Sequence, residues 1–140
     1  MNNVSYNEIV VSNDLRSAKE PEEQILGEVQ RCGYDPDTVF AIKLAFEEAI
    51  TNAVKHGNKN DRSKKVIIRY FVDRNRVILA IQDQGQGFMP EAVPDPTLAE
   101  NLERPCGRGL MLIRSYMTEV RYDKNGTEVW MMKERPGPHV

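Results

Sequence analysis

Cysteine is scarce in this chain. Of 140 residues only Cys32 and Cys106 are cysteines, and the sequence contains no Cys-x-x-Cys and no His/Cys ligand spacing. A disulfide framework and a structural zinc site are thereby excluded, and free thiols in a reducing compartment are expected. Cys106 reads as a small filler rather than a nucleophile. Charge of one sign is lacking too: 19 basic and 21 acidic residues leave a net charge of −2. That balance gives no bulk electrostatic case for nucleic acid or an anionic membrane. Lys59, Arg62, Lys64 and Lys65 do cluster, but no aromatic residues interleave with them for base stacking, so they read as a solvated turn. No apolar run reaches the ~18 residues that would span a bilayer. The start, Met-Asn-Asn-Val-Ser-Tyr, lacks the basic and apolar regions of a signal peptide. The expectation is a single cytoplasmic domain over 1–140, with neither membrane nor nucleic acid as partner. Familiar nucleotide signatures are missing as well. There is no G-x-G-x-x-G, no G-x-x-x-x-G-K-[ST], and no H-R-D or D-F-G element.

The chain is instead a succession of short amphipathic elements. Tyr6 to Ser12 reads as a strand, with Asn13 or Asp14 able to cap the next element and Pro21-Glu22-Glu23 suited to a helical first turn. That helix carries Ile25, Leu26 and Val29 and stops at Gly33. Asp35-Pro36-Asp37 opens a second helix, expected to run to about His56 with Gly57 as terminator. Val66 to Val72 and Arg76 to Asp83 read as a hairpin about Asp73-Arg74-Asn75. The stretch 88–106 holds Pro90, Pro94, Pro96 and Pro105 and reads as a long connection, the kind that is usually functional. A helix over Gly109 to Met117 comes next, then a second hairpin, Val120 to Tyr122 and Thr127 to Met132, about Lys124-Asn125-Gly126. A disordered tail is expected over 134–140. Strands arriving in hairpins argue against a doubly wound parallel sheet. The predicted fold is an α+β two-layer sandwich, a mixed, mostly antiparallel sheet covered on one face by about three helices.

Three segments carry candidate chemistry. On the second helix, Ile42, Phe46, Ala49, Ile50 and Ala53 make the core stripe, while Glu48 and Asn52, four apart, share a neighbouring face with Ala41 and Ala45. A solvated Glu and Asn on an outer face is the plain alternative. Against it, Asn is a poor mid-helix residue, and here it lies one turn from a carboxylate and beside small residues. An amide oxygen suits Mg²⁺, which takes few protein ligands, and a carboxylate one turn away could orient or deprotonate a nucleophile. His56 reads as a helix-end residue near the last carbonyls. Asp83 ends a strand in which Val77, Leu79 and Ile81 share its face, so its carboxylate is aimed at the core and needs a partner. Adenine's amino group would serve, since guanine presents an acceptor there. Gly85 and Gly87 let a flat ligand approach, although Asp and Gly also make ordinary strand-ending turns. Gly107-Arg108-Gly109-Leu110 opens a helix, where free N–H groups suit phosphate and Arg104 and Arg108 could add charge-assisted contacts.

Taken in order, Glu48-Ala-Ile-Thr-Asn52-Ala-Val-Lys-His56-Gly57, Asp83-Gln-Gly85-Gln-Gly87, Gly107-Arg-Gly109-Leu110 and Gly126-Thr127 resemble the GHKL ATP-binding superfamily with its Bergerat fold. The superfamily covers gyrase, histidine-kinase and heat-shock-chaperone ATPase domains. The likeness is greatest to the short stand-alone branch of bacterial anti-sigma-factor serine-protein kinases, over about residues 6 to 133. The resemblance implies that Asn52 holds Mg²⁺ against the phosphates, and that Asp83 binds the adenine amino group with Gly87 and Thr127 closing around the base. It implies an ATP lid over 88–106, a phosphate cradle from Gly107 to Leu110, and Glu48 as general base toward a protein serine hydroxyl. Arg104 would steady the γ-phosphate, with Pro105-Cys106 between it and the glycine pair. The partners implied are an anti-anti-sigma factor and a sigma factor, with a homodimer left open. A non-catalytic, nucleotide-gated protein-binding module is the alternative. A histidine-kinase catalytic domain is not expected, because 140 residues leave no room for a dimerisation helix pair bearing the phosphoacceptor.

Overall fold

The computed structural model describes residues 5–85 and 113–137. The first strand, β1, runs over Asn7–Ser12. The two polar residues after it part ways. Asp14 accepts hydrogen bonds from the Ser17 N–H (2.8 Å) and hydroxyl (3.0 Å) and so starts a short 3₁₀ turn, Arg16–Ala18. Asn13 turns inward instead and is buried. The helix α1 spans Lys19–Arg31 and buries Pro21, Glu22, Ile25 and Val29, one stripe at helical spacing. It ends at Gly33, whose φ of +85° is the left-handed conformation that glycine adopts without strain.

Asp35 caps the next helix, α2, Pro36–Thr51, by accepting a hydrogen bond from the Thr38 N–H at 2.7 Å. This bond holds the Asp35 carboxyl below its usual range. The expected α-helix to His56 is not what forms. The α-helical pattern stops at Thr51, and Asn52–Gly57 continue as a wider π-helical turn. Its signature is a hydrogen bond from the Asn58 N–H back five residues to the Ala53 carbonyl, 2.8 Å.

The remaining strands are β2 (Lys65–Val72), β3 (Arg76–Gln82), β4 (Glu119–Asp123) and β5 (Glu128–Glu134). They form one sheet in the order β1-β2-β3-β5-β4. The expected sandwich is the one observed, and every pairing among the described strands is antiparallel. Alternation decides the faces. Val66, Ile68 and Tyr70 of β2, Val77, Leu79 and Ile81 of β3 and Met131 of β5 pack against Ile25, Val29, Ile42, Phe46, Ala49 and Ile50 of the helices. Each Val, Leu, Ile, Phe or Met side chain among them contributes about 1.5–3 kcal/mol by leaving water. Ile113 and Met117, at the described end of the expected third helix, join the same core; residues 113–116 are helical. On the opposite face Ile78, Ala80, Trp130 and Met132 make a smaller cluster, with the Arg121 guanidinium 4.0 Å from the Trp130 ring centre.

Tyr70 links the layers, accepting from Gln24 at 2.6 Å and donating to Glu28 at 3.0 Å. Between α1 and α2, Glu22 is buried and faces Glu47, and among the described residues its Oε2 meets no N–H or O–H donor. Burial first, and the Glu47 carboxylate second, push Glu22 up to about 7, so the pair shares a proton. The same contact holds Glu47 below its ordinary value.

Both hairpins form as expected. Asp73 accepts from the N–H groups of Asn75 (2.8 Å) and Arg76 (2.9 Å), and Lys124, Asn125 and Gly126 take φ of 55°, 60° and 85°. The first residues of the expected tail are ordered. Strand β5 runs through Glu134, and Arg135 donates to the carbonyls of Cys32, Gly33 and Arg74 while stacking 4.3 Å above Tyr34. No helix among the described residues is long and apolar enough to cross a membrane.

Candidate nucleotide site

The site is assembled where the end of α2 meets the end of β3. Glu48 and Asn52 are both half-buried on consecutive turns, and the Asn52 N–H donates to the carbonyls of Ala49 and Glu48. Asn52 is the first residue of the π turn, so the helix widens directly after it. That widening delivers Gly57 to the strand end. Its backbone lies so close to the Asp83 carboxylate that a methyl group on Gly57 would overlap it. Gly85 approaches the same peptide: a β-carbon there would overlap the Gly57 carbonyl. Glycine at both positions is therefore a requirement of close backbone approach, not of turn shape.

Asp83 follows β3 on the helix-facing side, as its alternation with Leu79 and Ile81 demands. Its N–H donates to the Thr127 carbonyl at 2.8 Å, and its Oδ1 accepts from the Gly85 N–H at 2.8 Å. Burial raises the Asp83 carboxyl above the ordinary carboxylate range, with the Gly85 N–H and the Lys64 charge opposing it. A half-buried carboxylate with one backbone donor has acceptor capacity left for a ligand N–H. Thr127 stands beside it with its hydroxyl donating to the Lys124 carbonyl, 2.8 Å.

The structure thus brings Asp83, Gly85 and Thr127 together at the end of the helix that carries Glu48 and Asn52. Gly87, Arg104, Gly107, Arg108, Gly109 and Leu110, with Cys106 and the expected lid over 88–106, lie outside the described residues. The basic residues Lys59 and Arg62 are exposed, as a solvated turn requires.

Sequence reasoning passed over one buried residue beside these. Asn58, after the glycine taken as a helix stop, is fully buried. Its amide nitrogen donates to Asn13 Oδ1 and to the Lys65 carbonyl, both at 2.9 Å, and its Oδ1 accepts from the Gln84 N–H at 2.7 Å. Asn13 passes the chain on to the Asp61 carbonyl at 2.9 Å, and Gln84 Oε1 accepts from the Lys65 N–H at 2.7 Å. The signal available was an Asn-rich stretch, Asn58 and Asn60 around Lys59, but such stretches also mark plain turns.

The fold is an α+β sandwich of the Bergerat kind. The chain belongs to the histidine kinase-like ATPase domain family, whose model matches residues 11–133. It is similar to the serine-protein kinase RsbW of Bacillus subtilis, 33% identical over 123 residues, covering 81% of this chain and 76% of that protein. The serine-protein kinase RsbW of Staphylococcus epidermidis is 35% identical over 115 residues, covering 76% and 72%. Among solved structures, the RsbU and RsbW domains of a Mycobacterium tuberculosis protein superpose with a TM-score of 0.62 at 18% identity. That match covers 97% of this chain and 34% of the larger one, and it supports the fold.

Proposed function

We propose that this protein is an ATP-dependent serine-protein kinase of the anti-sigma-factor type. It transfers the γ-phosphoryl group of ATP to a serine of a small anti-anti-sigma partner, and it captures a sigma factor when that partner is absent. The observation that carries this reading is Asp83. A half-buried carboxylate at a strand end, with Gly85, Gly57 and the Thr127 backbone packed against it, suits a flat base whose amino group donates. Asp83 accepts that N–H, and ATP is preferred over GTP because guanine offers an oxygen at the same position.

In the transfer step, Glu48 accepts the proton of the partner's serine hydroxyl. The serine oxygen forms a bond to the γ-phosphorus as the bond to the β,γ-bridging oxygen breaks, and ADP leaves. Asn52 fits a magnesium role by donor chemistry, a hard amide oxygen one turn from a carboxylate on a half-buried face. When bound, Mg²⁺ supplies charge neutralisation for the phosphates. Among the described residues no three His, Cys, Asp or Glu side chains converge as a metal cage. Asn52 would hold such an ion as one of the few protein ligands that Mg²⁺ usually takes.

The experiment is phosphate transfer from labelled Mg-ATP to a co-purifying small partner protein, with wild type and Glu48→Gln side by side. Transfer by the wild type, lost on a scale of about 10²–10⁴-fold in Glu48→Gln with ATP binding retained, is the expected result. Equal transfer by the variant removes Glu48 from the chemistry. ATP binding with no transfer by either protein makes this a nucleotide-gated protein-binding module. No ATP binding by the wild type overturns the reading altogether.

A further inference from the structure

We infer that Asn58 is a positioning residue for base recognition, acting through the backbone of Gln84 on the Asp83–Gly85 turn. The inference rests on the reading of Asp83 as the base contact and adds a residue outside the recognised motifs. A free strand end does not hold a carboxylate at one angle. Asp83 has its own N–H fixed to Thr127 on one side, and the next peptide needs a second anchor. Asn58 is that anchor: its Oδ1 takes the Gln84 N–H at 2.7 Å, while its two amide protons are spent on Asn13 and Lys65.

The geometry leaves Asn58 a single orientation. Both amide protons and the oxygen are engaged, so the side chain can neither flip nor rotate without leaving a buried polar group unpaired. It also comes directly after Gly57, the peptide against which Asp83 and Gly85 pack. One side chain thus fixes the spacing between the helix end that carries Asn52 and the turn that carries Asp83. Removing it leaves the Gln84 backbone without its anchor, held only through its side chain on the Lys65 N–H, and loosens the turn that aims the Asp83 carboxylate, which weakens the choice between a donor and an acceptor on the base.

Asn13 provides the control. It bonds Asn58 from the far side, and the Asn58–Gln84 bond does not require it. The experiment measures ATP and GTP dissociation constants, thermal unfolding and amide exchange for the full chain as wild type, Asn58→Ala and Asn13→Ala. Both substitutions are expected to lower the melting temperature. Asn58→Ala alone is expected to raise the ATP dissociation constant about tenfold, with a smaller change for GTP, since one hydrogen bond is worth roughly that factor. Unchanged ATP affinity in Asn58→Ala, or an equal loss in Asn13→Ala, overturns the inference while wild-type ATP binding keeps the broader reading intact. Should the wild type bind no ATP, both fall together. Should Asn58→Ala fail to fold, the Gln84 amide of the wild type decides. Slow exchange that slows further with ATP supports the inference; fast exchange, or protection unaffected by ATP, overturns it.

Discussion

At the scale of single residues, the site holds groups that are poor choices for stability. Asp83 illustrates the conflict, because burial raises its carboxyl while the proposed base contact needs the ionised acceptor. Asp83→Asn removes the buried charge, and the apo protein is expected to gain on the order of 1 kcal/mol in a denaturant titration. The same variant is expected to lose at least about tenfold in ATP affinity by calorimetry, because an amide can present its donor where the base also donates. Gly85→Ala is expected to fail differently. The added carbon meets the Gly57 carbonyl, which is backbone and cannot swing aside, so both stability and ATP binding fall. The inward placement of Asp83 and the close approach at Gly85 were legible in the sequence because strand alternation and a missing Cβ are local properties. Asn58 was not, because its three partners lie just after β1, on β2 and in the turn after β3, and no periodic pattern announces a buried amide.

At the scale of elements, the two long helices meet through a titrating pair. Glu22 is held near 7 in the fold against an ordinary 4.5, so between those values the folded protein keeps a proton that the unfolded chain has released. Stability therefore declines as pH rises through that window and levels off above it. The depressed Glu47 acts in the opposite sense, and only as pH falls through and below its ordinary value. Glu22→Gln imitates the protonated form permanently. Its melting temperature at pH 8 is expected to exceed that of the wild type by ~3–4 °C, about 1 kcal/mol, and to vary less from pH 5 to 8. A steeper pH profile in the variant would contradict the shared proton. The sequence showed Glu22 only as a favourable first-turn acid, since α1 alone does not reveal which side α2 covers. The switch from α to π after Thr51 was equally hidden. The two helices differ by one hydrogen-bond step, and here the Asn58 N–H reaching the Ala53 carbonyl decides it.

At the scale of the whole molecule, alternation and turn chemistry exposed most of the architecture. The two hairpins, the core face of β3 and the helix-covered sandwich all come from patterns of two or of three and four. The entry of β5 between β3 and β4 does not, because strand order depends on contacts far apart in the chain. Arg135 was misjudged for a similar reason: a charged residue before Pro-Gly-Pro resembles a solvated tail until its three carbonyl partners are known. Arg135→Ala is expected to lower unfolding free energy by about 1–2 kcal/mol through lost hydrogen bonds and ring stacking, with ATP affinity unchanged. A matching loss of ATP affinity would show that the two ends of the sheet communicate.

The Arg135 clasp gives the domain a direction. It gathers the α1–α2 turn, the β2–β3 hairpin and the segment after β5 at one pole, while Asp83, Gly57 and Thr127 gather at the other. Arg135 itself lies at the pole remote from Asp83. Immobilised through that pole, the domain would face its surroundings with the Asp83 end first.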